Sequence, residues 1–143
     1  KPSLFNMMKS RFSMDWYYPI LCGAVTGAEA RRRIDRSWEK FVIPDWGVRC
    51  VSDQPWVPLA ETSELVMALA ACGRHEQARI LFSWILDKKD ELGRYWMGMT
   101  VPDGVIWPEE RTSWTAAAIL LAYDALYDLT PAGRLFRHEV WRT

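Results

Sequence analysis

Carboxylates and aromatic side chains gather in the segments that precede the long apolar stretches of this chain. Asp15 is followed directly by Trp16, Tyr17 and Tyr18. Asp53 stands just before Trp56, Glu61 and Glu64 are three positions apart, and Asp103 precedes Trp107, with Glu109 and Glu110 close behind. Carboxyl groups between aromatic plates suit two chemistries. In glycoside hydrolysis one carboxyl protonates the leaving oxygen while another activates water or attacks the sugar. In an apolar pocket, ring faces and a carboxylate stabilise a carbocation. The candidate catalytic residues are Asp15, Glu61, Asp103 and Glu110, with Asp15 foremost because three aromatics follow it. Trp16, Tyr17, Tyr18, Arg49, Trp56, Trp96, Trp107 and Arg111 are the candidates for touching a substrate.

A plainer role competes for the same residues. Acids in the first turn of a helix are favoured by its dipole, and Glu61, Glu64, Glu109 and Glu110 all stand near helix starts. Asp15 can cap its own helix, and Asp103 can form a turn. A diphosphate would need several arginines or lysines around it. The connections offer Arg11, Arg49, Arg94 and Arg111, outnumbered by carboxylates, and Arg49 and Arg111 serve equally well to neutralise Asp53 and Glu110. Arg31, Arg32 and Arg33 read as a solvated helix face. The sequence has no glycine-rich phosphate loop, no Ser-His-Asp arrangement and no HExxH. Cys50, Asp53, His75 and His138 do not make a converging ligand set, so neither metal nor cofactor is expected.

Composition narrows the class. The chain has 143 residues, half of them apolar and a quarter charged, with zero net charge. That is one domain's worth of globular sequence. Dispersed basic residues argue against nucleic acid and anionic membrane. The longest apolar run, Ala116 to Tyr123, is too short to span a bilayer. Cys22, Cys50 and Cys72 form no CxxC and read as reduced thiols, Cys22 and Cys72 packed in helices, of a cytoplasmic protein.

Helices must position these residues. Apolar periodicity and breakers predict helices over 17–27, 28–42, 59–72, 74–89, 112–129 and 131–141. The segment 28–42 carries one apolar stripe, Ala30, Ile34, Trp38, Phe41 and Val42. So does 74–89, with Ala78, Leu81, Phe82, Ile85 and Leu86. By contrast, 59–72 and 112–129 are apolar nearly all round, which predicts cover on most sides. Alternation of the two classes predicts an all-α fold of two layers, built from three hairpins over 1–43, 44–90 and 91–143. Pro102-Asp103-Gly104 predicts a tight turn, joining Tyr95–Val101 and Val105–Trp107 in a small hairpin. Thr62-Ser63 and Thr112-Ser113, 50 positions apart, mark an internal repeat of hairpin size.

Several stretches carry a family resemblance. They are Arg11 through Pro19, Gly47 through Asp53, Trp56 through Glu64, Tyr95-Trp96, and Trp107-Pro108-Glu109-Glu110-Arg111-Thr112-Ser113-Trp114-Thr115-Ala116-Ala117-Ala118. In these the chain resembles the terpenoid cyclase and protein prenyltransferase class of α/α toroids, and more narrowly bacterial proteins labelled prenyltransferase. The resemblance implies the C-terminal half of a ring of hairpins, and a transferase handling an apolar, isoprenoid-type small molecule. The Asp-x-Asp-Asp acid of the cyclases and the Asp-x-Cys zinc pair of the transferases are both absent. A carbohydrate-active helical barrel using paired carboxylates is the alternative, and a non-catalytic binding scaffold the third reading. A half-ring leaves apolar helices uncovered. Hence the expectation of either a preceding N-terminal half or self-association through Leu4–Met8 or Trp16–Tyr18.

Overall fold

The structure, a computed structural model, describes residues 9–141. Its helices are α1 (Ser13–Leu21), α2 (Gly27–Phe41), α3 (Leu59–Ala71), α4 (His75–Ser83), α5 (Ser113–Tyr127) and α6 (Pro131–Phe136), with a final 3-10 turn at Glu139–Trp141. The fold is predominantly helical. It also holds two small antiparallel sheets, β1 (Val42–Ile43) with β2 (Gly47–Val48), and β3 (Trp56–Pro58) with β4 (Gly98–Thr100).

Helix α3 is the centre of the packing. It lies against α1 on one side and α5 on the other, and α4 folds back onto it. Its apolar-all-round sequence is matched by burial all round: Leu59, Leu65, Val66, Ala68 and Leu69 are fully enclosed. Each large aliphatic side chain so buried contributes about 1.5–3 kcal/mol. The one-sided helices bury most of the face that periodicity assigns them, though Trp38 is only half-buried and Leu86, beyond the end of α4, is exposed. Ala30, Ile34 and Phe41 of α2 face the core, as do Ala78, Leu81 and Phe82 of α4. Consecutive helices pair as α1 with α2, α3 with α4, and α5 with α6.

Helix α1 starts earlier than its sequence suggests, so Pro19 lies in its interior rather than in its first turn. Proline leaves a carbonyl one turn back without its amide donor. That carbonyl belongs to Asp15, and Arg33 of α2 supplies the missing hydrogen bond from Nη2 at 2.8 Å. Arg33 Nε also donates to the Trp16 carbonyl at 2.7 Å. Arg33 is therefore a helix-to-helix tie, whereas Arg31-Arg32-Arg33 reads in sequence as a plain wet face.

Other expectations need correction. Helix α4 stops at Ser83, and turns carry the chain on through Ile85, which remains fully buried. The last helical segment is broken into α6 and the 3-10 turn. Helix α5 is not covered all round. Thr115, Ile119, Ala122, Ala125 and Leu126 are buried, but Ala116, Ala117, Leu121, Tyr123 and Tyr127 are exposed and Leu120 is 68% exposed. Its composition matches α3, yet α3 has neighbours on both sides and α5 has α3 on one. The two Thr-Ser anchors are not equivalent either. Thr62 lies inside α3, and Thr112 is the N-cap of α5 with its Oγ1 accepting from Thr115 N at 3.4 Å. The turn at 102–104 does join a small hairpin, bridged at Met99 and Ile106.

Cys50 is half-buried and Cys72 buried, but Cys22 is exposed rather than packed; all three are free thiols. No helix among the described residues is long and apolar enough to cross a membrane. The segment Leu4–Met8 invoked for self-association lies outside the described residues.

Candidate active site

Backbone hydrogen bonds draw the helix-opening segments to one end of the molecule. Ser13 N, at the start of α1, donates to the Cys50 carbonyl at 2.9 Å, and Ser52 N to the Arg11 carbonyl at 2.9 Å. Leu59 N, at the start of α3, donates to the Met97 carbonyl at 3.0 Å. Met97 N in turn donates to the Glu110 carbonyl at 2.8 Å, just ahead of α5. The entries to α1, α3 and α5 thus share an end, as the sequence reading requires for a common site.

The opening of α3 is rigidly set. Thr62 Oγ1 donates to the Pro58 carbonyl at 2.8 Å and accepts from Val48 N at 3.1 Å, tying β2 to the helix. This close approach depends on Gly47, where a Cβ would come within 2.6 Å of Thr62 Oγ1 and where φ is +139°. Ser63 Oγ donates to the Leu59 carbonyl at 2.8 Å.

On this rigid turn stand two carboxyl groups. Glu64 is gripped from α1: Tyr17 Oη donates to its Oε2 at 2.8 Å, and Tyr18 Oη to its Oε1 at 3.3 Å. Burial pushes the Glu64 carboxyl above its ordinary range, and the two phenols pull it partly back. The tyrosines respond in kind. Burial, and then the Glu64 charge, drive the Tyr17 phenol well up and the Tyr18 phenol to about 12, so both remain hydrogen-bond donors. Glu61 lies deeper, only 6% exposed. Burial first, and the Glu64 charge beside it, raise its carboxyl to about 7; its backbone amide and the Cys50 thiol act in the opposite direction. Its Oε2 is buried without a hydrogen-bond partner. Burial, and then Glu61, push the Cys50 thiol to about 11, which keeps it protonated and unreactive. Two adjacent carboxyls in such surroundings titrate as a coupled pair and retain a proton toward neutral pH.

Of the sequence candidates, Glu61, Tyr17 and Tyr18 meet at this cluster, with Glu64 at its middle. Trp56 and Trp107 meet each other: their rings are edge to face at 5.8 Å, and Trp56 Nε1 donates to the Trp107 carbonyl at 2.7 Å. Trp96 is capped by the Arg111 guanidinium, 3.8 Å from the ring centroid. Arg111 is bound to Asp90 rather than to Glu110, and Asp53 takes Arg11 at 2.9 Å rather than Arg49. Arg49 reaches the Ser52 carbonyl from Nη1 at 3.2 Å, and its Nε is buried without a partner.

The remaining candidates lie apart from the carboxyl cluster's hydrogen bonds. Trp16 is 5% exposed, stacked on Phe41 with its Nε1 donating to the Arg33 carbonyl at 2.7 Å, and so belongs to the core between α1 and α2. Asp15 is exposed beside Arg33. Asp103 is exposed in the turn, and Glu110 is exposed ahead of α5. The central role of Glu64 had a signal in sequence. A helix beginning at Leu59 places Glu61 in its first turn but Glu64 beyond it, where the dipole no longer accounts for an acid.

No family model matches the chain. Over 129 residues, 90% of its length, the chain is 51% identical to the MMP endo-(1,4)-3-O-methyl-alpha-D-mannosidase of Mycolicibacterium hassiacum. It is similar to a mannosidase. The chain spans about a third of that relative, 36% of its length. This similarity overturns the expectation of a prenyltransferase or terpenoid cyclase-like transferase handling an isoprenoid.

Proposed function

We propose that this chain belongs to a carbohydrate-active enzyme that hydrolyses an α-mannoside, with Glu64 as its catalytic carboxyl and Glu61 as the buried partner that shares its proton. The observation that carries this reading is the tyrosine-gripped Glu64 beside a carboxyl held near pH 7, in a chain 51% identical to a mannosidase over 129 residues. Glu64 is the more exposed of the two, so it is the one a glycosidic oxygen can reach.

The chemistry follows from the charge balance. The protonated carboxyl gives its proton to the leaving oxygen as the anomeric carbon–oxygen bond breaks. Water adds to the anomeric carbon, and its surplus proton returns to the pair. The coupled Glu61 keeps Glu64 supplied with a proton, because two buried charges so close are disfavoured. Tyr17 and Tyr18 hold the carboxyl in one orientation, which matters more for rate than raw acidity does. The substrate class is a 1,4-linked α-mannose polymer bearing 3-O-methyl groups, by analogy with the relative's name.

In this reading α1, α3 and α5 form the inner layer of a helical barrel, α2, α4 and α6 form the outer layer, and the carboxyls stand at its mouth. The layer assignment is supported by α3 being enclosed between α1 and α5, with α4 behind it. The test is release of reducing ends from a 1,4-linked 3-O-methyl-mannose polymer by the full-length protein. Activity that disappears in Glu64→Gln with unfolding behaviour intact supports the proposal. Absence of any glycan cleavage by the unaltered protein overturns it.

A further inference from the structure

The tryptophans at the shared end of the helices are not equivalent. Trp96 has one face covered by Arg111. Trp56 is half-buried and lies on Gly98, where a Cβ would come within 2.7 Å of its Nε1. Trp107 is different: the residue is 58% exposed. Its backbone is nevertheless fixed from both sides, because its amide donates to the Gly98 carbonyl at 3.2 Å and its own carbonyl accepts from Trp56 Nε1 at 2.7 Å. The edge of one indole against the face of the other, at 84° between planes, further restrains the exposed ring. A large apolar side chain held still in water has already lost its freedom, so a ligand that stacks on it pays little for order. Strand β3, which carries Trp56, runs without a break into α3, whose third and sixth residues are Glu61 and Glu64.

We propose that Trp107, braced by Trp56, is a sugar-stacking subsite that takes the apolar face of a pyranose and favours one whose hydroxyls are methylated. This rests on the glycan reading above and deepens it. Pyranose rings present C–H edges that fit an indole face, and an O-methyl group adds apolar area while removing a hydroxyl donor. Each methyl group buried on the ring raises affinity about fourfold. The polar atom of Trp56 is already used within the protein, so the Trp107 N–H is the one donor this pair keeps beside its ring surfaces.

Tryptophan fluorescence titration of the full-length protein tests this, with two probes: a 1,4-linked α-mannose oligosaccharide and its 3-O-methylated counterpart. The methylated probe is expected to bind several-fold more tightly. Trp107→Ala should weaken it about tenfold and erase the preference, with Trp107→Phe keeping most of both. Glu64→Gln, which removes cleavage, should keep binding and preference alike. Unchanged affinities in Trp107→Ala, with its unfolding midpoint intact, overturn the subsite while leaving glycan cleavage standing. Failure of both probes to bind the unaltered protein, together with absence of cleavage, overturns the glycan reading and this subsite with it.

Discussion

Tyr17 of α1 and Glu64 of α3 are joined by a 2.8 Å hydrogen bond across 47 positions of sequence. The phenol is fully buried, and the carboxyl it holds stands next to Glu61 on the same helix. This bond fixes the orientation of the carboxyl and moderates its pKa. Tyr17→Phe should raise the Glu64 pKa, because a donor to the charged form is lost. The alkaline limb of the pH–activity profile should move upward, since the carboxyl that must be protonated keeps its proton to higher pH, and stability should fall by about 1–3 kcal/mol. Kinetics across pH and urea unfolding read both effects.

Glu61 makes stability depend on pH in a defined direction. Its carboxyl sits at about 7 against an ordinary 4.5, so the folded protein binds a proton that the unfolded chain releases. Stability is full below about pH 4.5 and is lost as pH rises through 7, by an amount on the order of 3 kcal/mol. Glu64 shifts in the same direction and adds to the slope. Glu61→Gln should flatten much of this loss and stabilise the protein at pH 8. Unfolding midpoints at pH 4.5 and 8 decide it, and an unchanged slope in the variant would sink the assignment.

Asp90 acts with the opposite sign. Arg94 first, then backbone amides and Arg111, hold its carboxyl well below the usual carboxylate range. Its Oδ1 accepts from Leu92 N and Arg94 N, both at 3.0 Å, and its Oδ2 from Arg94 Nε at 2.8 Å and from Arg111. This contribution is present above the ordinary aspartate value and is lost as pH falls below it. Asp90→Asn should lower the melting temperature at pH 7, and by progressively less as pH falls below the ordinary aspartate value. Since Arg111 also caps Trp96, the variant should loosen that ring, visible as a change in tryptophan emission.

Leu81 and Ile85 are both fully buried. Replacing either with alanine should cost roughly 2–5 kcal/mol. Lys88 lies over the Trp46 ring, its ammonium 5.6 Å from the centroid, so Lys88→Ala should cost about 0.5–1 kcal/mol rather than nothing. Denaturant midpoints for the three variants measure the contrast.

Helix identity was legible because burial imposes periodicity, and α2, α3 and α4 follow theirs. What sequence could not supply was the neighbour list. Ile119 and Leu120 are adjacent and both strongly apolar, yet only Ile119 is buried, so composition alone overstated the cover of α5. The pairing of β3 with β4 was equally hidden, because its partners are 40 or more positions apart and each strand has only three residues. The carboxyl and aromatic content of the candidate site was visible in sequence. Which members meet was not: Asp15 and Tyr17 are two positions apart, but only Tyr17 reaches Glu64. The family resemblance misdirected the functional reading because helical layering is shared by proteins of different chemistry.

The most direct measurement of the central claim is reducing-end release from a 1,4-linked 3-O-methyl-α-mannose polymer by the full-length protein and its Glu64→Gln variant, each first shown to unfold at the same denaturant midpoint. The account predicts cleavage by the unaltered protein and a loss of at least about a hundredfold in the variant. Cleavage at an undiminished rate by Glu64→Gln would contradict it.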